Sequence, residues 1–493
     1  MIKDEFLLSS VGDREAACAV ARKSAINIPA YREYLRRNQF SGKISRSNFE
    51  ELPLTDKENY LMKAPYFSLL PPENLDDVHF VFKSSGSSGK SFYWPQLKQQ
   101  YKLFDLLFED TLSKNFSIRK KRTAIIVGLS LGSWIGGDLI SWAAKNVALR
   151  SNYSLTVFSP GNQHEEILEI INGINRKVDQ IILFVCPSTI GHLALLAEEK
   201  NFSGIFNKLR FLVIGEPFSE NFRLRLRAKC KVKPPEVVLT SVYGSADTGI
   251  IGIESNAVAF FRELLSRYGQ LRRYYGFENS LPNFFNLSVK EAYIEMVKGE
   301  LVFTAWQGLP LMRYNLHDNG SLIDWNTVKT ALKDINLDGE SEKLKNHIIK
   351  DRSNPIVIAV GGRSDGTIYL CGTNISESML SNAINDKSLQ KTVTGHFYVS
   401  VLERNGRQQL KWEIELKPGI RPDKKTESVI YAKLIELLGK LQPEFMADYN
   451  SIYSKWDDNE SARIFQFKFY PWPQLSRRPD SAKHRIIALT EDK

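Results

Sequence analysis

The 493-residue chain has four cysteines, at positions 18, 186, 230 and 371, widely spaced and with no CxxC pair. That excludes a disulfide framework and the usual zinc-binding patterns. Free thiols suit a reducing compartment, so a cytoplasmic protein is expected. The first five residues include Asp4 and Glu5, and no apolar run of signal-peptide length follows them. The longest apolar stretch, residues 181–197, is interrupted by Pro187 and His192. It reads as a buried strand followed by a helix rather than a membrane span. Glycine (30) and proline (20) are together about a tenth of the chain, which excludes collagen-like and low-complexity classes. No repeat of fixed period is visible.

Charged residues make up 25% of the chain and the hydrophobic set 43%, as in ordinary globular proteins with a large core. The formal net charge is +10, which favours anionic partners such as nucleotides, coenzymes or acidic carriers. The densest basic run, Arg119 to Arg122, is too short for a nucleic-acid arm, so no nucleic-acid partner is expected.

From residue 123 onward, apolar bursts of strand length alternate with helical patterns. They fall at 123–127, 155–158, 180–185, 209–214 and 236–242, each running into Gly, Ser or Pro. This alternation predicts an α/β fold with parallel sheets and helical crossovers. Residues 293–296 and 300–306 read as paired strands. Residues 324–355, rich in Lys, Asp, Asn and Glu, read as a solvated insertion. A second block, with strands near 367–371, 396–402, 409–416 and 463–470 and a helix near 426–441, reads as a small α+β unit. The expected division is 1–362 and 363–493, at the Gly361-Gly362 pair.

The strongest local motif is Lys83-Ser84-Ser85-Gly86-Ser87-Ser88-Gly89-Lys90. Glycines let backbone N–H groups approach phosphate oxygens, and the Ser hydroxyls and Lys90 add donors and charge. The P-loop pattern GxxxxGK[ST] is absent, because Ser84 stands where its first Gly is required. Alone, such a loop reads more often as a flexible linker. Here an apolar run precedes it and an aromatic run follows, as for a loop joining two strands.

Further motifs follow in order: Pro53-Leu54-Thr55-Asp56-Lys57, Gly215-Glu216-Pro217, Tyr243-Gly244-Ser245-Ala246-Asp247, residues 299–304 with 310–318, Gly362-Arg363-Ser364-Asp365 with 372–375, and Arg478 to Lys483. Taken together over residues 50–483, this set resembles the acyl-adenylate-forming superfamily, most closely its phenylacetate–CoA ligase branch. The resemblance implies a large adenylate-forming N-terminal domain and a small mobile C-terminal domain. It implies ATP and Mg²⁺ as cofactors, a small carboxylic acid as substrate, and CoA or a carrier-protein phosphopantetheine as acceptor. It casts Lys483 as the adenylating lysine and Ser84 to Lys90 as the phosphate loop. Gly215, Glu216, Pro217, Tyr243, Gly244, Asp318 and Arg363 would contact the nucleotide, with Tyr243 stacking on adenine and Asp318 receiving ribose hydroxyls. Asp247 would hold Mg²⁺ and Asp365 would be the hinge. Trp134 and Val242 would line the acyl pocket, which suggests an aromatic or aliphatic acid. The chemistry is consistent: bringing a carboxylate to an α-phosphate opposes two negative charges, and cations must neutralise them.

Alternatives stay open at this level. Asp247 reads also as a turn or N-cap aspartate, and Asp318-Asn319-Gly320 as a hairpin turn. Asp247 stands where the superfamily has Glu, Ala246 replaces a hydroxyl residue, Ala482 replaces Gly and Gly366 replaces a second Asp. These departures leave a nucleotide-binding subunit without catalysis in contention, along with an amide- or nucleotidyl-forming ligase. Gly128-Leu129-Ser130-Leu131-Gly132 matches the GxSxG elbow, making Ser130 the nucleophile of an alternative serine hydrolase. The sequence leaves a homodimer open.

Overall fold

The computed structural model describes residues 7–84, 92–202, 204–233, 236–277, 281–288, 292–352, 354–364, 366–370, 373–404, 407–475 and 486–491. Ser85 to Lys90, Asp365 and Lys483 lie outside the described residues.

The fold is α/β, built around one 13-stranded mixed sheet. Its parallel half runs in the order Leu239–Ser245, Leu209–Ile214, Gln180–Val185, Thr123–Val127, Leu155–Phe158. Three of these strands read as near-continuous apolar runs because helices cover both faces. Ile181, Ile182, Leu183, Phe184 and Val185 are all fully buried, as are Ala124 to Val127. Each Ile, Leu, Val or Phe among them contributes about 1.5–3 kcal/mol of burial. The crossovers are helices Ile135–Arg150, His164–Ile174, Pro187–Glu199 and Glu220–Lys229. The 181–197 stretch is thus a strand and a helix, as its proline indicates.

The other half of the sheet is antiparallel, and it includes the pair of strands expected at 293–296 and 300–306. Past Leu239–Ser245 come Gly249–Ile253, Asn283–Leu287, Ile356–Arg363, Leu311–Asp324, Glu300–Ala305 and Tyr293–Val297. The pairing changes hand because Leu239–Ser245 turns back through Ala246, Asp247 and Thr248, too short a link for a crossover.

Two expectations are corrected. Residues 324–355 are not merely a solvated insertion: they form helices Trp325–Asp334 and Asp338–Asp351. Trp325, Val328, Leu332 and Leu344 are buried, packing with Phe261, Leu264 and Leu265 of helix Asn256–Arg267. The charges are the outer face of amphipathic helices. Asp318-Asn319-Gly320 is not a hairpin turn either. It lies inside the long strand Leu311–Asp324, paired with Ile356–Arg363.

The C-terminal lobe has its own core. Ile368, Leu380, Trp412, Ile414, Leu434 and Phe465 cluster between helices and a four-stranded sheet of Val393–Arg404, Arg407–Leu416, Phe465–Pro471 and Ile486–Glu491. Among the described residues no helix is long and apolar enough to cross a membrane.

Candidate active site

A cavity of about 1250 Å³ opens at the carboxyl ends of the parallel strands. That is where ligands bind in open α/β sheets, because loops and helix N-termini converge there. From strand Leu239–Ser245 to strand Leu155–Phe158 is four strand steps, about 19 Å, so the cavity is a trench rather than a point. Ser84, Trp134, Gly215, Glu216, Pro217, Val242, Tyr243, Gly244, Asp247, Asp318 and Arg363 all line it. Motifs scattered over 280 residues of sequence therefore meet in one space.

Strand Leu209–Ile214 delivers the Gly215-Glu216-Pro217 loop. Gly215 has φ +90°, a left-handed conformation that favours glycine. The loop is pinned from behind. The guanidinium groups of Arg223 and Arg262 lie 5.2 and 4.6 Å from the centroid of the Phe218 ring. Arg262 donates to the Phe218 and Pro282 carbonyls and pairs with Glu220. Arg223 pairs with Glu220 at 3.2 Å and with Glu254. Four buried charges thus satisfy one another, as buried charges must.

At the end of strand Leu239–Ser245, the Tyr243 hydroxyl donates to Asp318 Oδ2 at 2.6 Å, and its ring stacks on Phe285 at 5.4 Å. Burial, with the Asp318 carboxylate beside it, pushes the Tyr243 phenol well above its ordinary range, so it remains a donor. Gly244 admits no side chain: a Cβ there would lie 2.5 Å from the Gly249 carbonyl. Asp247 follows in the turn. Its carboxylate accepts from the Tyr314 hydroxyl at 2.6 Å, and its main-chain carbonyl accepts from Gln307. Burial raises the Asp247 carboxyl, against the pull of Tyr314, Lys57 and Arg363. Its side chain is turned across the sheet rather than spent on a helix cap.

Lys57, from the Pro53–Lys57 motif, enters the cavity beside these groups. Its ammonium donates to Ser84 Oγ at 3.2 Å. Burial lowers its pKa, with Asp247 opposing and Arg363 reinforcing that shift. Trp134 stands near Ser84's strand, with the Lys83 ammonium 5.2 Å from its ring centroid. Beyond it, Ser130, Asn162, His164, Cys186 and Thr189 line the far end of the trench.

Ser130 accepts a hydrogen bond from Asn162 Nδ2 at 2.6 Å. Among the described residues no imidazole donates to it or accepts from it, and helix Ile135–Arg150 begins five residues later. The helix thus starts several residues past Ser130 rather than directly after it, as a nucleophile elbow would have it.

The C-terminal lobe supplies the remaining wall, with Thr373, Asn374, Glu377, Glu444 and Asp448. Thr373 Oγ1 donates to Asp448 Oδ2 at 2.5 Å. Burial, reinforced by Glu216 and Glu444, raises the Asp448 carboxyl to about 7 despite that bond. The lobe docks through Gln408 Nε2, which donates to the Pro217 carbonyl at 3.4 Å, and through a Lys455–Glu165 ion pair at 2.8 Å. Glu403 adds contacts to Ser219 and Arg225. Sequence reading assigned no role to Lys57, Tyr314 or Asp448. The first two sit inside quoted motifs, whereas nothing around Asp448 signals a site.

Among the described residues, Cys18, Cys186 and Cys230 form no disulfide. No group of three or more His, Cys, Asp or Glu side chains is arranged to hold a metal ion among the described residues.

Neither a protein-family model nor a curated protein matches the sequence. Solved structures do match. The crystal structure of 2-hydroxyisobutyryl-CoA ligase, in complex with 2-HIB-AMP and CoA in the thioesterification state, superposes with a TM-score of 0.57 at 12% identity. It covers 97% of this chain and 89% of that one. The same ligase in the postadenylation state with 2-HIB-AMP gives 0.49 at 12% identity, over 97% and 89%. A malonyl-CoA ligase ternary product complex with methylmalonyl-CoA and AMP gives 0.43 at 10% identity, over 79% and 70%. At 12% identity the first likeness is one of fold: from its N-terminal helices to its C-terminal lobe, this chain has the architecture of 2-hydroxyisobutyryl-CoA ligase.

Proposed function

We propose that this protein is an ATP-dependent carboxylate ligase that forms an acyl-adenylate and then passes the acyl group to a thiol. The observation that carries the reading is the convergence of Lys57, Ser84, the Gly215–Pro217 loop, Tyr243, Asp247, Asp318 and Arg363 on one cavity, closed on one side by a separately cored lobe. In the first step a carboxylate oxygen attacks the α-phosphorus of ATP and the bond to pyrophosphate breaks. In the second a thiol sulfur attacks the acyl carbon and AMP leaves. The thiol is CoA or a carrier-protein phosphopantetheine. A ligase of the same fold is named for CoA chemistry and was crystallised with an acyl-AMP and CoA.

Asp318 and Tyr243, locked together, would receive the ribose and adenine, and Arg363 would face the phosphates. Trp134 and Val242 would contact an aromatic or aliphatic acid. Lys483 would bridge carboxylate and α-phosphate in the first step. We divide the chain at 362/363, with Asp365 as the hinge on which the C-terminal lobe turns. Asp247 fits Mg²⁺ in one respect: it is a lone carboxylate with one oxygen engaged by Tyr314, and Mg²⁺ is commonly held by one or two carboxylates together with substrate phosphates and water. When bound, the ion would offset phosphate charge.

ATP–pyrophosphate exchange over a panel of carboxylic acids tests the reading, followed by product analysis with CoA or a holo carrier protein. Exchange dependent on one acid class is expected, and it should fall by about 10²-fold or more in Lys483→Ala, the loss typical of a transition-state charge partner. ATP-independent ester hydrolysis that disappears in Ser130→Ala would replace the ligase with the hydrolase.

A further inference from the structure

Four residues of the quoted motifs have no part in the reaction proposed above, yet they meet in one cluster. Asp56 comes from Pro53–Lys57, Glu300 from residues 299–304, His317 from residues 310–318 and Ser364 from the segment at the lobe boundary. His317 is the centre. Its Nε2 lies 3.4 Å from Asp56 Oδ2 and its Nδ1 3.9 Å from Glu300 Oε1. An imidazolium meets two carboxylates with two N–H groups, whereas a neutral ring has only one to offer. Burial would raise the Asp56 carboxyl, but the bond to His317 and the Asn59 and Glu58 N–H groups hold it below its ordinary value.

The main chain of His317 is unusual at the same point. Its φ is +62°, a left-handed conformation that a residue with a side chain keeps only where its surroundings over-determine it. Here the His317 N–H donates to Asn315 Oδ1 at 2.8 Å, and the ring is flanked by the two carboxylates. The result is the direction of the His317 carbonyl. It accepts from the Ser364 N–H at 2.7 Å and from the Ser364 hydroxyl at 3.2 Å, and that hydroxyl is shared with Glu300. Glu300 in turn accepts from Asn315. Ser364 is thus tied to two strands of the sheet lobe, Leu311–Asp324 and Glu300–Ala305, immediately before the position proposed as the hinge. The residue after His317 is Asp318, the proposed ribose contact.

We propose that His317 and Glu300 are positioning residues that clamp Ser364 to the sheet lobe, so that the C-terminal lobe turns beyond Ser364 and Asp318 stays fixed while it does. The proposal rests on the reading of a lobe that turns at Asp365. Without the clamp, rotation would spread back into Gly361 and Gly362, which have no side chain to resist it, and would pull on the strand that carries Asp318.

The test is amide hydrogen exchange on full-length wild type, His317→Gly, His317→Asn and Glu300→Gln, without ligand, together with energy transfer between labels at exposed positions 149 and 429. Glycine accepts the left-handed backbone but has no ring, so it separates the two roles of the residue. In His317→Gly the Ser364 amide should exchange at least about ten-fold faster, the loss of one hydrogen bond, and the distance distribution should broaden. His317→Asn tolerates positive φ and keeps a donor, so it should recover part of the protection. Glu300→Gln keeps an acceptor for Ser364 without the charge and should lose less than His317→Gly. Strand Gln180–Val185 should stay protected in all three, which shows that the sheet lobe is folded. Wild-type protection of Ser364 in His317→Gly would overturn the proposal, because the ring would then be idle. So would a loss of protection shared by Gln180–Val185, the mark of a general structural role. In the active enzyme, thioester formation should slow several-fold more than pyrophosphate exchange, since it alone follows the turn; equal slowing would also overturn the proposal. If wild type catalyses neither step with any acid, the ligase reading falls, and the amide and distance measurements still decide the clamp.

Discussion

Glu403 is one of the groups through which the C-terminal lobe meets the sheet lobe, and its removal should shift the balance towards the undocked state. It projects from strand Val393–Arg404 onto the N-terminus of helix Glu220–Lys229. There it accepts from the Ser219 N–H at 3.3 Å and the Ser219 hydroxyl at 3.2 Å, and it pairs with Arg225 at 2.8 Å. The Glu403 side chain is 7% exposed and that of Arg225 is 54% exposed. The Arg225 pair is therefore screened and contributes at most about 1 kcal/mol. The two Ser219 bonds are long for charge-assisted ones, and the helix terminus adds about 0.3–1 kcal/mol. Undocking returns Glu403 to water, which refunds part of the total. A net contribution of about 2 kcal/mol remains, equivalent to roughly a thirty-fold change in the ratio of docked to undocked lobes. Glu403→Ala should produce that change in fluorescence energy transfer between labels at exposed positions 149 and 429. Undocking also removes Thr373, Glu444 and Asp448 from the cavity wall, so thioester formation should slow by a similar factor while pyrophosphate exchange holds. In a double-mutant cycle, Arg225→Ala should account for less than half of the effect. An unchanged distance distribution in Glu403→Ala would refute the reasoning, because it would place the docking energy in the Gln408 and Lys455 contacts instead.

Two further outcomes are expected. Asp247→Asn keeps an acceptor for the Tyr314 hydroxyl, so its Tm should stay within a few degrees of wild type. It removes the charge, however, so exchange activity should fall by about 10²-fold and the Mg²⁺ midpoint should rise; an unchanged midpoint would return Asp247 to a turn role. His164 is buried and its pKa is pushed down to about 4 by that burial, with Lys455 adding to the shift. The native state then binds fewer protons than the unfolded chain between pH 6.5 and 4. His164 thus contributes stability that is full above pH 6.5 and lost as pH falls towards 4, at most about 3 kcal/mol. Asp448 acts oppositely, since a raised carboxyl costs stability as pH rises towards 7. The informative measurement is therefore the difference in unfolding free energy between wild type and His164→Gln across pH 4–7, in which Asp448 cancels. A flat difference would show that His164 titrates normally.

The sequence displayed the parallel half of the sheet plainly and the antiparallel half faintly. Strands such as Gln180–Val185 are buried on both faces, so an unbroken apolar run marks them without any need for periodicity. Strands such as Gly249–Ile253 and Leu311–Asp324, which line the cavity, carry Gly, Asn or charged residues that break the apolar pattern. Helix Asp338–Asp351 was hidden differently: its buried positions, Ser341, Leu344 and Asp351, are few, and charged residues dominate the composition around them.

Within the site, legibility followed the loops. Backbone geometry forces particular residues at Gly215 and Gly244, and such constraints leave short, ordered strings that can be read. Partnerships between distant side chains leave no string. Tyr243 meets Asp318 across 75 positions, Lys57 meets Ser84 across 27, and Ser219 meets Glu403 across 184. A lysine in Pro53–Lys57 looks the same in sequence whether it points to solvent or into a cavity. Only the packing of Thr55 against strand Leu311–Asp324 decides it: the Thr55 hydroxyl donates to the Met312 carbonyl at 2.9 Å, and its N–H donates to that of Arg313 at 3.0 Å. That anchorage fixes the next turn of chain and sends the Lys57 ammonium towards Ser84. The charge that makes Lys57 chemically interesting is thus a property of tertiary structure. It is settled by two hydrogen bonds formed with residues more than 250 positions away.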